Sequence, residues 1–486
     1  MSFRRFLLVV LGVAAPALSG PVISRAQSPL YYQIQFPPDE FRARWNGVFD
    51  RIGNQAIAIV QGAPLTRGYV FPRQTNEFYY LSGVETPHSY LLLDGRTRRV
   101  TLLLPPRNEG LERSEGRILS AADAELAKRL TGADSVAGTE TMTREWLAAL
   151  LGRPAPAVYT FFTPAERSGE SRGELQAADA AVAEDDWDGR PSREAHFVAR
   201  LRSRFPRVEV RDLTPVLDSL RSVKSPREIA LIRRASELAG HGLLAALRST
   251  RPGVWEYQLD GVARYVFLIN NARLEGYRSI TASGTANIWN AHYYRNDRQL
   301  ADGDLVLMDY APDYFYYTSD VARMWPVNGK FSPVQRELLQ FVLEYRNAIL
   351  RRIRPGVTAA AIRAEVVPAM DSVFARTRFS KPIYEQAARR LVQTGGGVFS
   401  HPVGLAVHDD GPYDRGPLAP GHVFSVDPQL WVPEENLYFR YEDVIVITTT
   451  GYENFTQFLP TELADIERLV GKGGMLERFP AVSAGR

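Results

Sequence analysis

Four acidic positions in the second half of this chain sit where an acid is expensive. Asp309 closes the apolar run Leu305-Val306-Leu307-Met308, and Asp320 follows Tyr316-Tyr317-Thr318-Ser319. Asp427 closes Val423-Phe424-Ser425-Val426, and Glu442 stands within Tyr438-Phe439-Arg440-Tyr441-Glu442-Asp443-Val444. A carboxylate among such neighbours is costly unless it is paired or bound to a cation. One such acid alone reads as a strand end reaching water. Histidines change that reading: His292, His401, His408 and His422 lie near these segments in sequence, whereas His88, His196 and His241 lie elsewhere. Strand acids and imidazoles together describe a carboxylate-rich metal site, and one imidazole with several carboxylates suits Mn, Fe, Co or Zn. Two ions about 3.5–4 Å apart, bridged by carboxylates, would suit metal-assisted hydrolysis. The chain has no Cys, which excludes disulfides, thiolate catalysis and Cys-ligated zinc or iron–sulfur sites.

The elements that must position these groups are legible in outline. Asp309 ends an apolar strand, Pro312-Asp313 supplies a turn, and Asp320 is expected on the returning strand of a β-hairpin. The run Gly395-Gly396-Gly397 precedes Ser400-His401-Pro402-Val403-Gly404-Leu405-Ala406-Val407-His408, and is expected to let backbone approach a ligand closely. Upstream, Ser225-Pro226-Arg227-Glu228 combines an N-cap, a first-turn proline and a glutamate at N3, a strong helix start. That helix must end before Pro252. Arg251-Pro252-Gly253-Val254 recurs as Arg354-Pro355-Gly356-Val357, each between helical stretches, which suggests a duplicated α/β half. From residue 29 to 215, strand-like runs (56–60, 89–93, 99–104) alternate with helical stretches such as 121–130, an α/β pattern. The polar stretch 163–191 reads as a surface excursion, and the domain boundary is expected within 214–224.

Length and charge narrow the function further. A chain of 486 residues predicts two or three domains. It carries 58 Lys+Arg and 55 Asp+Glu, but residues 1–26 hold Arg4, Arg5 and Arg25 and no acid, so the remainder has 55 of each sign. No basic surplus is left for nucleic acid, so no nucleic-acid partner is expected. Residues 1–26 have a charged start, an apolar run over 6–18 and the small-x-small end Ser24-Arg25-Ala26, the pattern of a secretory signal peptide. The run is too short to span a bilayer. The expectation is an exported (periplasmic or secreted) protein with no stable membrane insertion once the signal is cleaved.

Taken in order, these motifs resemble the pita-bread metallopeptidases, in particular aminopeptidase P and prolidase, over most of the chain. Arg73-Gln74-Thr75-Asn76-Glu77-Phe78-Tyr79-Tyr80-Leu81-Ser82-Gly83 resembles that family's N-terminal domain signature. Val223-Lys224-Ser225-Pro226-Arg227-Glu228-Ile229 resembles the start of its catalytic domain, and the eleven-residue step from Asp309 to Asp320 is the family's spacing. His401, His408, Asp427-Pro428 and Arg440-Tyr441-Glu442-Asp443 complete the series. The resemblance implies an α/β (α+β) fold: an aminopeptidase P-like N-terminal domain over 28–215, then a pita-bread catalytic domain with internal pseudo-two-fold duplication over 220–472.

The resemblance also implies roles. Asp309 would bind one metal, Asp320 and Glu442 would bridge two, and His401 and Asp427 would complete the second. His292 and His408 would bind substrate and steady the tetrahedral intermediate, while Arg440 would orient the bridging carboxylates. The implied cofactors are two divalent ions, Mn first, with Zn, Co or Fe as alternatives. The implied reaction removes an N-terminal residue ahead of a penultimate proline from peptide substrates. Prolidase activity on dipeptides, or peptide binding with weak or no hydrolysis, are the alternatives. A homo-oligomer, dimer or tetramer, is compatible with the family. The chain departs from its pattern in four places: Asp427-Pro428 replaces Glu-Pro, Gly397 replaces a histidine, Ala322 replaces a threonine, and Asp309-Tyr310-Ala311 replaces Asp-Ala-Gly.

Overall fold

A computed structural model describes residues 31–480 apart from 67, 153–155, 412 and 414. The expected signal peptide over 1–26 lies outside the described residues. In the N-terminal half the strand Ala56–Gln61 is buried on both faces and alternates strictly. Ile57 and Ile59 face one apolar cluster, with Val158 and Leu201, while Ala56, Ala58 and Val60 face another. Around it stands a six-stranded sheet in the order Ser135–Gly138, Arg99–Leu104, Tyr90–Asp94, Ala56–Gln61, Ala157–Thr160, Val210–Asp212. The two inner hairpin pairings are antiparallel and the outer three are parallel, so the sheet is mixed.

Two expectations for this half change. The stretch 163–191 is not merely a surface excursion: Glu166 is fully buried, and helix Arg172–Glu184 follows it. Burial of Glu166 is possible because Arg172 (3.0 Å) and Arg221 (2.7 Å) both pair with it. The expected boundary 214–224 is mostly the helix Thr214–Arg221, whose Leu217 packs in the N-terminal core. Apolar pattern alone does not separate a linking helix from a domain helix.

The second half opens with helix Pro226–Ser249, capped as its sequence requires: Ser225 accepts from the Glu228 amide and Glu228 accepts from the Ser225 amide. It packs along helix Glu256–Ile269. The repeated Arg-Pro-Gly-Val segments are structurally equivalent. Gly253 N donates to Leu300 O (2.9 Å) and Leu300 N to Val254 O (2.8 Å); Gly356 N donates to Leu418 O (2.8 Å) and Leu418 N to Val357 O (2.8 Å). Both glycines have positive φ, 87° and 82°, a conformation that strains other residues. Nine residues beyond Leu300 lies Asp309, and nine beyond Leu418 lies Asp427. The duplication therefore delivers one acid from each half to corresponding strand ends.

The strands of this half form two three-stranded sheets, a short antiparallel pairing of Leu274–Glu275 with Pro312–Asp313, and a ribbon. Leu305–Tyr310 lies between Val321–Pro326 and Ile280–Ser283, and Asp443–Ile447 lies between Val423–Val426 and Tyr452–Asn454. The ribbon pairs Gln429–Val432 with Leu437–Arg440. In the expected hairpin Ala322 stands opposite Asp309, so Asp320 falls one residue before the returning strand rather than on it. Glu442 N donates to Ala322 O at 3.1 Å, tying the two halves together beside these acids. One core cluster fills the second half, and another joins Phe41, Trp45 and Phe78 to Tyr317, Val403 and Val444 across both halves. No described helix is long and apolar enough to cross a membrane.

Candidate metal centre

Asp309, Asp320 and Glu442 are all buried, and their carboxylates offer donor oxygens within 4.8 Å of one another. His401 Nε2 lies 3.3 Å from Asp320 and 3.9 Å from Glu442. Its Nδ1 is 3.0 Å from the Pro402 carbonyl, an acceptor only, so Nδ1 carries a proton and Nε2 is the nitrogen that faces the acids. His408 joins Asp320 and His401 in a second group of potential donors, its ring 4.5 Å from that of His401.

Asp427 reaches this cluster through Arg440. The guanidinium donates from Nε to Asp427 at 2.8 Å, from Nη1 to Asp309 and from Nη2 to Glu442. One cation thus touches three of the four acids. Gln429 Nε2 donates to the other Asp427 oxygen, and the Tyr277 hydroxyl lies within hydrogen-bond reach of Asp309 and, at 2.9 Å, of Asp320. Sequence reasoning missed Tyr277 and Gln429; a lone Tyr or Gln in a loop or strand carries no signal of such a role.

Four buried carboxylates against one arginine leave the site electrostatically unbalanced. Burial, with Asp320, Asp427 and Asp309 close by, pushes Glu442 well above the usual carboxylate range, and Arg440 only partly offsets this. Burial likewise pushes Asp309 up. Asp320 goes the other way: burial opposes its charge, but the His401 hydrogen bond overcomes it, and in return Asp320 holds His401 up. Neighbouring carboxylates driven apart in this way cannot all ionise without further positive charge. Glu442 Oε1 is in addition buried with no hydrogen-bond partner. An unpartnered carboxylate oxygen facing His401 Nε2, within a set of hard oxygens and one imidazole, fits divalent cations.

His292 is exposed on the loop after helix Gly284–Ile288, outside the buried cluster. Burial first, then Arg440 and His408, hold its pKa below the usual imidazole value, so it stands within electrostatic range of the site. His408 is partly exposed and its Nδ1 lies 2.6 Å from Glu174 Oε1, a contact from the N-terminal half that the sequence did not announce. His422 takes no part; it is buried, and its Nδ1 accepts from Ala419 N at 3.3 Å. The glycine run makes a close approach to the protein's own backbone. Gly397 has φ +76°, and a Cβ there would lie 2.3 Å from the Asp427 carbonyl oxygen. Beside Asp427 a cleft of about 470 Å³ opens between Gly397, Phe399 and Trp431.

Comparison with known proteins identifies the family of the chain. Residues 230–449 match the model of metallopeptidase family M24, and residues 41–159 match the aminopeptidase P N-terminal domain. A Xaa-Pro aminopeptidase of Haemophilus influenzae is 30% identical over 91% of this chain and 99% of its own length. One from Escherichia coli is 32% identical over 89% of this chain and 97% of its own. A structure of zinc-substituted Escherichia coli aminopeptidase P in complex with product superposes with a TM-score of 0.71 at 31% identity, over 89% of this chain and 98% of that one. Similarity along both halves, together with the acid and histidine cluster, means that the chain belongs to metallopeptidase family M24 and is an aminopeptidase P-type hydrolase.

Proposed function

We propose that this protein is an exported Xaa-Pro aminopeptidase that uses two divalent ions, Mn first among them, to release the N-terminal residue of peptides whose second residue is proline. Asp309, Asp320, His401, Asp427 and Glu442 are the residues that would hold these ions. The orphaned Glu442 Oε1 within this donor set is the observation that carries the reading. When bound, the ions supply Lewis acidity, polarising the scissile carbonyl and lowering the pKa of water. Arg440 fixes Asp309, Asp427 and Glu442 in one geometry, and Tyr277 fixes the side of Asp309 and Asp320 that Arg440 does not. His408, with Nδ1 engaged by Glu174, offers Nε2 to the oxygen on which charge develops, and His292 binds substrate from the loop at the margin of the site.

The division into an N-terminal domain over 28–215 and a catalytic domain over 220–472 assigns all five metal-holding residues to the second. The test is purification of the mature chain, metal analysis, and assay with added Mn on Xaa-Pro dipeptides and on longer Xaa-Pro peptides. Turnover of the longer peptides is expected. Turnover of dipeptides alone would make it a prolidase, and no turnover after metal loading would contradict hydrolysis.

A further inference from the structure

Helix Arg193–Arg204 in the N-terminal half carries Arg193, His196, Arg200 and Arg204 at the i, i+3, i+4 spacing of one face. That face lines a groove of about 530 Å³ together with Arg144 and His88, and no residue lining the groove is acidic. Its apolar lining includes Leu147 and Leu201, buried members of the core cluster beneath the sheet, and Phe197 and Phe205, packed against that cluster. None of the lining residues comes from the half that carries the metal centre.

The charge here is not accounted for by the fold. Buried arginines elsewhere recruit acids, as Arg172, Arg221, Arg323 and Arg440 do, yet among the described residues none of the four groove arginines has a carboxylate at ion-pair distance. Glu194, next along the helix, is buried rather than part of the groove. Arg193 donates from Nη2 to Gly62 O at 2.7 Å, but its Nη1 is buried without a partner. Arg144 and Arg193 are also the first residues of their helices, where the macrodipole disfavours a cation. The favourable dipole at the other end accounts for Arg204 and leaves Arg144, Arg193 and Arg200 unexplained.

We propose that this groove is a binding site for a small organic polyanion, whose clustered phosphoryl oxygens engage Arg144, Arg193, Arg200 and Arg204 while its apolar body rests on Phe197 and Phe205. Guanidinium groups match phosphoryl oxygens by paired, charge-assisted hydrogen bonds, and a concave surface of one sign concentrates such an anion. The site is independent of the peptidase reaction.

Titration calorimetry of the metal-loaded enzyme with pyrophosphate and with ATP tests it. One saturable site per chain is expected for each probe, weakening as salt is raised. ATP should bind more tightly than pyrophosphate because it adds a planar body. The double substitution Arg200→Glu/Arg204→Glu, on an exposed helix face, should weaken both at least tenfold with peptidase activity unchanged. Arg144→Ala provides the same comparison should the double variant fold poorly. Absence of saturable binding, or equal affinity in wild type and variants, would overturn the proposal; the second result would assign the anion to the metal centre.

Discussion

Glu174 Oε1 lies 2.6 Å from Nδ1 of His408, so a helix of the N-terminal half reaches the histidine whose ring stands against His401. Ser171 Oγ, just before that helix, also accepts from the His408 amide at 3.2 Å. Both partners of the Glu174–His408 pair are substantially exposed, so the pair adds little to stability. Its consequence is orientation. Glu174→Gln is expected to lower kcat about tenfold, in the range seen for groups that orient catalytic histidines, with the melting temperature unchanged. Steady-state kinetics with a thermal melt of the same preparation checks this.

How far the site was legible follows from where each group sits. Asp309 was readable because an acid ending a run of buried apolar residues has few explanations. Asp427 was readable by its motif order, and the duplicated Arg-Pro-Gly-Val turns place it at the same offset as Asp309. Glu174 was not, because 234 residues separate it from His408 and its helix is mostly exposed. The buried Glu166 was missed for a related reason: its arginine partners, Arg172 and Arg221, lie on separate helices that only the fold brings together. His422 was over-read, since nearness in sequence to the acids says nothing of which way a side chain turns.

Arg221 is buried between Glu166 (2.7 Å) and Asp409 (2.5 Å), the residue after His408. Replacing it with Met removes the guanidinium that bridges the two and leaves Glu166 to Arg172 (3.0 Å) and Asp409 to Lys224 (3.3 Å). The expected cost is about 3 kcal/mol, the low end for breaking a buried ion pair from one side, because each carboxylate keeps one cation. Urea denaturation of Arg221→Met against wild type measures it.

Glu275 gives a signed pH dependence. Burial pushes its pKa up to about 7, with Arg264 opposing, from an ordinary value of 4.5. The folded state therefore holds a proton that the unfolded state releases, and stability falls as pH rises between those values. The contribution is complete below pH 4.5 and lost above about 7. Glu275→Gln should flatten that part of the stability–pH curve, which chemical denaturation at a series of pH values will resolve.

Gly397 cannot accept a side chain without moving Asp427. Its φ of +76° is strained for other residues, and the Cβ of an alanine would meet the backbone of Asp427 and Pro428. Gly397→Ala should destabilise the protein by roughly 2 kcal/mol or more. It should also weaken metal binding, because the carboxylate of Asp427 rides on the displaced backbone. A melt and a metal titration read the two effects separately.

The claim that four carboxylates and His401 together hold two divalent ions is tested most directly by counting them. Elemental analysis of the purified, metal-loaded protein should find two equivalents per chain, and Asp427→Ala should retain one. Loss of the second equivalent together with most of the activity is the predicted result. No bound metal in the wild type, or an unchanged stoichiometry in Asp427→Ala, would contradict it.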